Sequence, residues 1–337
     1  NDDVITKQGL SKPNGLDRQI EDFPEVYWAA IQFNDGDNYH EKYKQLTRLM
    51  GAVKNTRTFK QLPEEGRKCS LCGERNALFY KPNIDENGFE KRPKYIDDNA
   101  IKINDTRMAR GEALCGICFV KRYYWKDDKE FPSTAGIALS YVLENLMRDD
   151  NEFSNLFQEY KGLFKYKDSL KNGFDEELCY EESLTKKYFI KYDWDTENLD
   201  NNKIIDINKK LRERIEKLNE TKQLNLRLSR YYAIICLDGD DMGKRLSGEG
   251  LKEGISLLQF HKALSTRLGN FAVEASKYLD AGDKAYGRCV YAGGDDFLGF
   301  VNLRRLFEVM GHLRTSFDEM VNLPLKEDFL KRDLTIS

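Results

Sequence analysis

Two groups of acidic residues follow apolar segments in the last third of the sequence. The first is LDGDD, which follows the apolar stretch 231–237 and begins its acids at Asp238. The second lies within VYAGGDDFLGF, residues 290–300, and contributes Asp295 and Asp296. Adjacent carboxylates repel each other, so a tight turn that carries two of them indicates a bound cation. Hard oxygen ligands at this density suit Mg²⁺ or Mn²⁺ better than zinc or copper.

The elements that must position these acids have a recognisable order. Residues 229–241 predict a buried strand that ends in acids, and 255–279 predict a helix from their apolar spacing. A strand, a turn and a second strand follow in AYGRCVYAGGDDFLGFV, and another helix follows in LRRLFEVMGHLRTSFDEM. The order β-α-β-β-α is most of a ferredoxin-like β-α-β-β-α-β unit. Because its first strand and its hairpin are sheet neighbours, Asp238 and the hairpin acids are expected to converge.

Glycines and cations beside the acids fit a nucleotide. The hairpin glycines permit a tight turn and a close approach of substrate to the backbone. The loop predicted after the first acidic group is glycine-rich and offers backbone N–H groups and positive charge to phosphates. An acid in this loop could also cap the following segment instead of touching metal. The candidate nucleotide-binding residues are Gly239, Asp240, Asp241, Gly243, Lys244, Gly293 and Gly294.

Four of the seven cysteines form two C-x-x-C pairs, Cys69 with Cys72 and Cys115 with Cys118. The odd total argues against a disulfide framework and for a metal in a reducing compartment. Four thiolates in a tetrahedral array are typical of structural zinc, because no coordination position stays open for substrate. An iron–sulfur cluster is the alternative. The polar insertion between the pairs, KPNIDENGFEKRPK, is predicted to be a loop.

The remaining sequence predicts an α+β protein with three regions. Residues 1–130 form an N-terminal palm-like α/β region with a strand at 26–33, a helix from Tyr39 and the cysteine module at 67–125. Residues 131–228 are helical, with Ser133 as a helix cap. Residues 229–337 form the palm domain, which lacks its closing strand where the sequence reaches LTIS.

Charge and hydropathy limit the classes of partner. The chain has 54 Lys and Arg against 57 Asp and Glu, a net charge of −3, so any polyanion must meet a local patch. Residues 172–200 are acidic and are predicted to be a solvated loop or, alternatively, a functional acidic patch. Residues 203–230 carry nine basic and four acidic residues and favour an amphipathic helix over a nucleic-acid contact. No secretory signal or membrane span is evident, which predicts a cytoplasmic protein.

The segments YAGGDDF and LDGDDMGK together resemble the large palm subunit of type III-B CRISPR (Cmr) effector complexes. RTFKQLPEEGRKCSLCGERNAL, EALCGICFVKRYY and FPSTAGIA occur in that family in the same order, and the resemblance covers about 45–337. It implies an enzyme that joins ATP into cyclic oligoadenylates when the complex binds target RNA. The implied partners are the other Cmr subunits, guide RNA and target RNA. The implied catalytic residues are Asp238, Asp295 and Asp296.

The chain also departs from this family. Many members carry an HD nuclease domain, but the three histidines, His40, His261 and His312, do not precede an Asp, so HD-type cleavage is not expected. Two other functions remain open. GGDDF is one methylene from GGDEF, which would fit a cyclic dinucleotide synthase that uses GTP. The chain could also be a scaffold without catalysis, and the cluster Lys121, Arg122, Tyr123, Tyr124 and Trp125 could bind RNA or pack a helix.

Overall fold

The described part of the chain forms a mixed α+β structure with three large apolar cores and one small apolar cluster. The computed structural model describes residues 2–21, 23–56, 64–124, 131–167, 173–280 and 287–336. Trp125 and the first residues of the motif that begins at Arg57 lie outside these ranges. The α+β class predicted from the sequence is confirmed. Across the described ranges, no helix is both long and apolar enough to cross a bilayer.

The N-terminal module gathers short helices and strands around the cysteines. Its core contains Phe79, Met108 and Phe119, each fully shielded from solvent. The strands make a sheet of order β4-β1-β5 and a separate β2-β3 hairpin. This hairpin lies within the segment that was predicted to be a polar loop. Its two short strands pair antiparallel, with Asn83 opposite Lys91. The elements are α1 (Asp2–Lys7), α2 (Leu16–Glu21), α3 (Tyr39–Asn55), β1 (Phe79–Tyr80), β2 (Asn83–Ile84), β3 (Glu90–Lys91), β4 (Ile101–Lys102), β5 (Ala113–Leu114) and α4 (Gly116–Tyr124).

The predicted strand at 26–33 is wrong. This segment has no ladder partner among the described residues, and a strand needs one to satisfy its backbone groups. Its apolar side chains stay in solvent: Val26 is 77% exposed and Trp28 75% exposed. The predicted helix after it is confirmed as α3, which Asn38 caps by accepting hydrogen bonds from two backbone N–H groups. The N-terminal strand–helix unit is therefore not formed here.

The middle module is helical, as predicted. Ser133 Oγ accepts a hydrogen bond from the backbone N–H of Gly136, which confirms the predicted cap. Apolar residues recur at helical spacing along each long helix and meet in one core around Phe153 and Tyr160. The helices are α5 (Thr134–Asp149), α6 (Asn151–Gly162), α7 (Lys186–Lys191) and α8 (Asn201–Lys222).

The acidic segment 172–200 is more buried than predicted. Between 176 and 183 it forms two 3₁₀ turns, and α7 follows them. Leu178, Phe189 and Trp194 lie in the core of the helical module with at most 3% of their surface exposed. Acidic and apolar residues alternate irregularly in this segment. The acidic charge therefore predicted exposure to solvent, although the apolar side chains pack into the core.

The palm module has a three-stranded antiparallel sheet of order β6-β8-β7. Helices α10 and α11 cover one face, where Ile235, Phe297 and Val301 meet Phe271 and Leu313 in the core. The predicted glycine-rich loop at 243–250 is wrong in its first half, because 242–246 form a short helix. The elements are β6 (Tyr232–Leu237), α9 (Met242–Leu246), α10 (Leu257–Leu279), β7 (Gly287–Gly293), β8 (Asp296–Asn302), α11 (Leu306–Phe317) and α12 (Leu323–Asp328).

Buried polar contacts join the modules. Between the cysteine module and the helical module, Lys81 Nζ pairs with Asp193, and Arg110 Nε lies 2.6 Å from Asp193 Oδ1. Lys81 and Asp193 are each only 3% exposed. Between the helical module and the palm, Asn302 Nδ2 donates to the carbonyl of Ile137 at 2.8 Å. Since an unpaired charge in such surroundings is costly, these contacts fix how the modules meet.

Candidate metal and nucleotide site

The carboxylate site forms where two neighbouring strands end at the same edge of the palm sheet. Leu237 at the end of β6 pairs with Phe297 near the start of β8. Asp238 directly follows the first strand, and Asp296 begins the second. The antiparallel pairing therefore places these two side chains side by side, as the predicted strand order requires.

The structure brings all three predicted catalytic acids together. Oxygen atoms of Asp238, Asp295 and Asp296 all lie within 4.8 Å of one another. Asp238 and Asp296 are exposed, and Asp295 is half-buried. A hydrogen bond that protonated Asp296 donates to Asp238 raises the pKa of Asp296, and the charge of Asp295 raises it further. Three ionised carboxylates at these distances repel one another. A bound hard divalent cation would offset this repulsion.

Gly239 makes room for Asp295. A Cβ atom at position 239 would lie 2.7 Å from Asp295 Oδ2 and 2.7 Å from Met242 Cγ. Real Cβ atoms do not approach other atoms this closely. The absence of a side chain at 239 is therefore what allows the hairpin carboxylate to lean over the end of β6. The sequence predicted nucleotide binding for this glycine, and the structure gives it a role in placing the carboxylate.

The hairpin turn requires glycine at one position. Gly294 has φ of +83°, a conformation that L side chains rarely adopt. Gly293 pairs with Asp296 in the β7-β8 ladder. A Cβ at 293 would meet the hydroxyl of Tyr291, whose side chain folds across the turn. Gly294 is therefore the glycine that the turn presenting Asp295 and Asp296 requires, whereas a side chain at 293 would displace Tyr291.

The acids at 240 and 241 stand apart from the three-carboxylate group. The backbone N–H of Asp240 donates to the carbonyl of Thr335 at 2.9 Å. Asp241 has φ of +56°, and its carboxylate pairs with Lys244 Nζ at 2.7 Å. Gly243 is exposed and has no atom near the place of a Cβ. Lys244 therefore pairs with a local acid at the surface, and its contact with a phosphate stays a prediction.

His261 contacts the end of α9, a position that the sequence did not predict. His261 on α10 lies with Nδ1 2.9 Å from the Tyr39 hydroxyl and Nε2 2.8 Å from the carbonyl of Leu246. Its ring also packs edge-on against Tyr39 and Tyr43 of α3. The spacing of the two tyrosines, one helical turn apart, was the signal in the sequence. Both ring nitrogens have partners, so this histidine positions helices.

The four predicted zinc ligands also converge. The sulfurs of Cys69, Cys72, Cys115 and Cys118 all lie within 4.8 Å of one another. Cys72 Sγ and Cys115 Sγ are 3.8 Å apart. Sulfurs at about 2.3 Å from a tetrahedral zinc ion lie about 3.8 Å from each other, so this donor set fits zinc. The cluster can therefore hold a structural zinc ion.

Local backbone groups prepare the cysteines for a metal. The N–H of Leu71 points to Cys69 Sγ and that of Cys118 to Cys115 Sγ, both at 3.5 Å. Burial raises the pKa of the Cys118 thiol to about 11. Several thiolates would not coexist here without a cation to balance them, because burial penalises each negative charge.

The family comparison decides the type of palm. The family model for the second palm domain of Cas10/Cmr2 matches residues 231–337. This part of the chain is similar to that palm domain. The matched residues contain Asp238, Asp295 and Asp296, so the carboxylate group lies inside the region of similarity.

A curated relative agrees with the Cas10/Cmr2 assignment. CRISPR system Cmr subunit Cmr2 of Pyrococcus furiosus is 29% identical over 285 residues, which are 75% of this chain. The aligned part spans 29% of the length of that relative. A solved structure of the type III-B Cmr-beta complex in its apo state aligns over 83% of this chain and 40% of its own, with 17% identity and a TM-score of 0.47. The predicted resemblance to the Cmr palm subunit is confirmed.

Proposed function

We propose that this chain performs metal-dependent nucleotidyl transfer within a type III-B CRISPR effector complex and converts ATP into cyclic oligoadenylates. The observation that carries the proposal is the meeting of three carboxylates from two strands at an accessible sheet edge. The Cas10/Cmr2 palm match supports it. The proposed partners are other Cmr subunits, guide RNA and target RNA, and the proposed compartment is the cytoplasm.

The proposed palm topology is ferredoxin-like. Residues Gly239 and Ile336 form an antiparallel bridge beside β6, on the edge not occupied by β8. A closing strand of a β-α-β-β-α-β unit would pair in this place and direction. The strand order β6-β8-β7 supports the same arrangement.

Each carboxylate has a defined role in the proposed reaction. Two Mg²⁺ or Mn²⁺ ions, when bound, would lower the pKa of an attacking ribose hydroxyl and stabilise charge on the departing pyrophosphate. Asp238 and Asp296, on adjacent strands, would hold the ions between them. Asp295, placed by Gly239, would close the site from the hairpin turn. No side-chain nucleophile is required, because the hydroxyl of one ATP attacks the α-phosphate of another.

We assign structural zinc to the cysteine module. The four thiolates would fill every position of a tetrahedral ion, which leaves no place for substrate. Cys69 and Cys115 are buried in the module's core, at 3% and 0% exposure. Zinc would therefore stabilise this module and take no part in nucleotidyl transfer.

The test is a pair of charge-neutral substitutions with a matched control. In the assembled complex with ATP, Mn²⁺, guide RNA and target RNA, Asp295→Asn with Asp296→Asn should abolish oligoadenylate synthesis. Asp241→Asn removes an acid that lies three residues after Asp238 but pairs with Lys244 outside the three-carboxylate group, and it should leave most of the activity. Undiminished product from the double variant would reject the carboxylate group as the catalytic centre. Chromatography of products made from ATP and from GTP tests the substrate, since a product made only from GTP would contradict oligoadenylate synthesis.

A further inference from the structure

The basic segment 203–230 has its charge distributed unevenly between paired and unpaired residues. Most of its cations are neutralised by carboxylates of the helical module. These ion pairs join Lys203 to Glu159, Lys209 to Glu213, Lys210 to Asp206, Arg212 to Glu181, Arg214 to Asp150 and Arg230 to Glu177. Arg227 has no ion pair with a described carboxylate. The amphipathic helix predicted for this segment is confirmed as α8. Lys217 and Lys222 within α8 also have no ion pair with a described carboxylate, and Arg227 is the unpaired cation of this segment beyond the end of the helix.

Arg227 lines a cavity between the helical module and the palm. The cavity has a volume of about 360 Å³ and contains a second arginine, Arg304, from the turn after β8. Arg304 likewise has no ion pair with any carboxylate in the part of the chain that the structure describes. Ser229, Tyr231 and Asn225 complete the polar wall, and no acidic residue lines the cavity. Two unneutralised arginines in one concave surface produce a local positive potential.

Tyr231 adds an aromatic surface to this positive cavity. Its side chain is 75% exposed, although tyrosine usually buries most of its ring. It directly precedes β6, and Asp238, seven residues further along the chain, directly follows that strand. A strand of this length spans about 20 Å, so the cavity is separate from the carboxylate site.

The loop that carries these groups is held in place. Asn219 accepts a hydrogen bond from the N–H of Leu226 and donates to its carbonyl, both at 2.8 Å. Tyr180 donates to the carbonyl of Ser229 at 2.9 Å. On the opposite wall, Asn302 accepts a hydrogen bond from the N–H of Arg304 at 3.0 Å. Little conformational freedom would be lost on binding, because the backbone is already fixed.

We propose that this cavity binds the phosphate of a nucleotide unit, with its base stacked on Tyr231. Guanidinium groups bind phosphate through paired N–H donors, and base stacking on an aromatic ring tolerates any base. The same chemistry could be offered by single-stranded RNA or by a free nucleotide. We favour RNA, because the cavity is shallow and open to solvent along the exposed Tyr231, Arg227 and Arg304.

The test measures binding of fluorescein-labelled single-stranded oligouridine to the full chain by fluorescence anisotropy. EDTA is present throughout, so that metal-dependent binding at the carboxylate site does not contribute. Tyr231→Ala should weaken binding roughly 5- to 150-fold, and Tyr231→Phe should bind like wild type. Arg227→Ala with Arg304→Ala should reduce the slope of log affinity against log salt by about 1.4, the value for two lost phosphate contacts on a single strand.

Arg314→Ala is the matched control, since it removes one exposed arginine from α11 outside the cavity. Thermal melting checks that each variant is folded. Labelled ATP replaces the RNA in a second arm. A loss confined to RNA identifies nucleic acid as the source of the phosphate, and a loss confined to ATP identifies a free nucleotide. If the folded Arg227 and Arg304 variant binds both probes as wild type does, or if Arg314→Ala weakens binding equally, the proposal is wrong. Failure of this test leaves the carboxylate site untouched, because no metal is present.

Discussion

Replacement of Gly239 by alanine should disable the carboxylate site without unfolding the palm. The new Cβ would lie 2.7 Å from Asp295 Oδ2, whereas ordinary contacts begin at 3.4 Å. The carboxylate oxygen must therefore move by about 0.7 Å. Misplacement of a reacting group by about 1 Å can cost about 100-fold in rate, and loss of a supporting contact costs about 10- to 100-fold in metal affinity. We expect Gly239→Ala to lower both quantities by about 10- to 100-fold.

The assay for this substitution has two readouts. Electron paramagnetic resonance of free Mn²⁺ gives the metal affinity of the isolated chain, and nucleotide turnover gives the rate in the assembled complex. Gly243→Ala is the matched control, because Gly243 lies four residues on, and nothing lies within 4 Å of where its Cβ would be. Alanine should even favour α9 there, by up to about 1 kcal/mol.

Two outcomes would refute the steric role of Gly239. If Gly239→Ala binds Mn²⁺ within about twofold of wild type and melts at the same temperature, then Asp295 does not depend on the space at 239. If Gly243→Ala loses metal as strongly, the effect would come from the loop as a whole and the steric argument would be refuted.

Three further substitutions probe the rest of the molecule. Cys115→Ser should release zinc, as measured by elemental analysis, and lower the melting temperature, while the exposed Cys236→Ser should do neither. Asn302→Ala should cost about 1–3 kcal/mol in chemical denaturation, because it removes two buried hydrogen bonds to carbonyls of α5, each worth about 0.5–1.5 kcal/mol. The Arg214 side chain lowers the pKa of Asp150, so its stabilisation is present at neutral pH and is lost as pH falls below about 4. Asp150→Asn should therefore be less stable than wild type at pH 7, and the difference should shrink at pH 3.

Much of the palm could be predicted because local and long-range signals agree there. The apolar run 231–237 and the hairpin glycines each specify one element, and the β-α-β-β-α order leaves few ways to arrange the strands. Asp238 and Asp295 converge as a result. The C-x-x-C pairs gave the metal cluster for a similar reason, since each knuckle fixes two ligands locally.

The failures have a common physical cause, which is that partners decide structure where local pattern is ambiguous. Residues 26–33 have strand composition, but a strand forms only when it pairs with another strand. No strand of the described residues pairs with this segment. The burial of Trp194 depends on helices far away in sequence, which the local charge pattern does not indicate.

The buried cluster of Lys81, Arg110 and Asp193 has a consequence for how the molecule loses its structure. Separation of the cysteine module from the helical module would leave Asp193 without its two cationic partners, which is energetically costly. The two modules should therefore melt in a single cooperative transition. Stripping metal from the cysteines should then loosen amide protons around Trp194 in hydrogen exchange, at a distance from the thiols themselves. Zinc bound to the cysteines would thus stabilise helices that it does not contact.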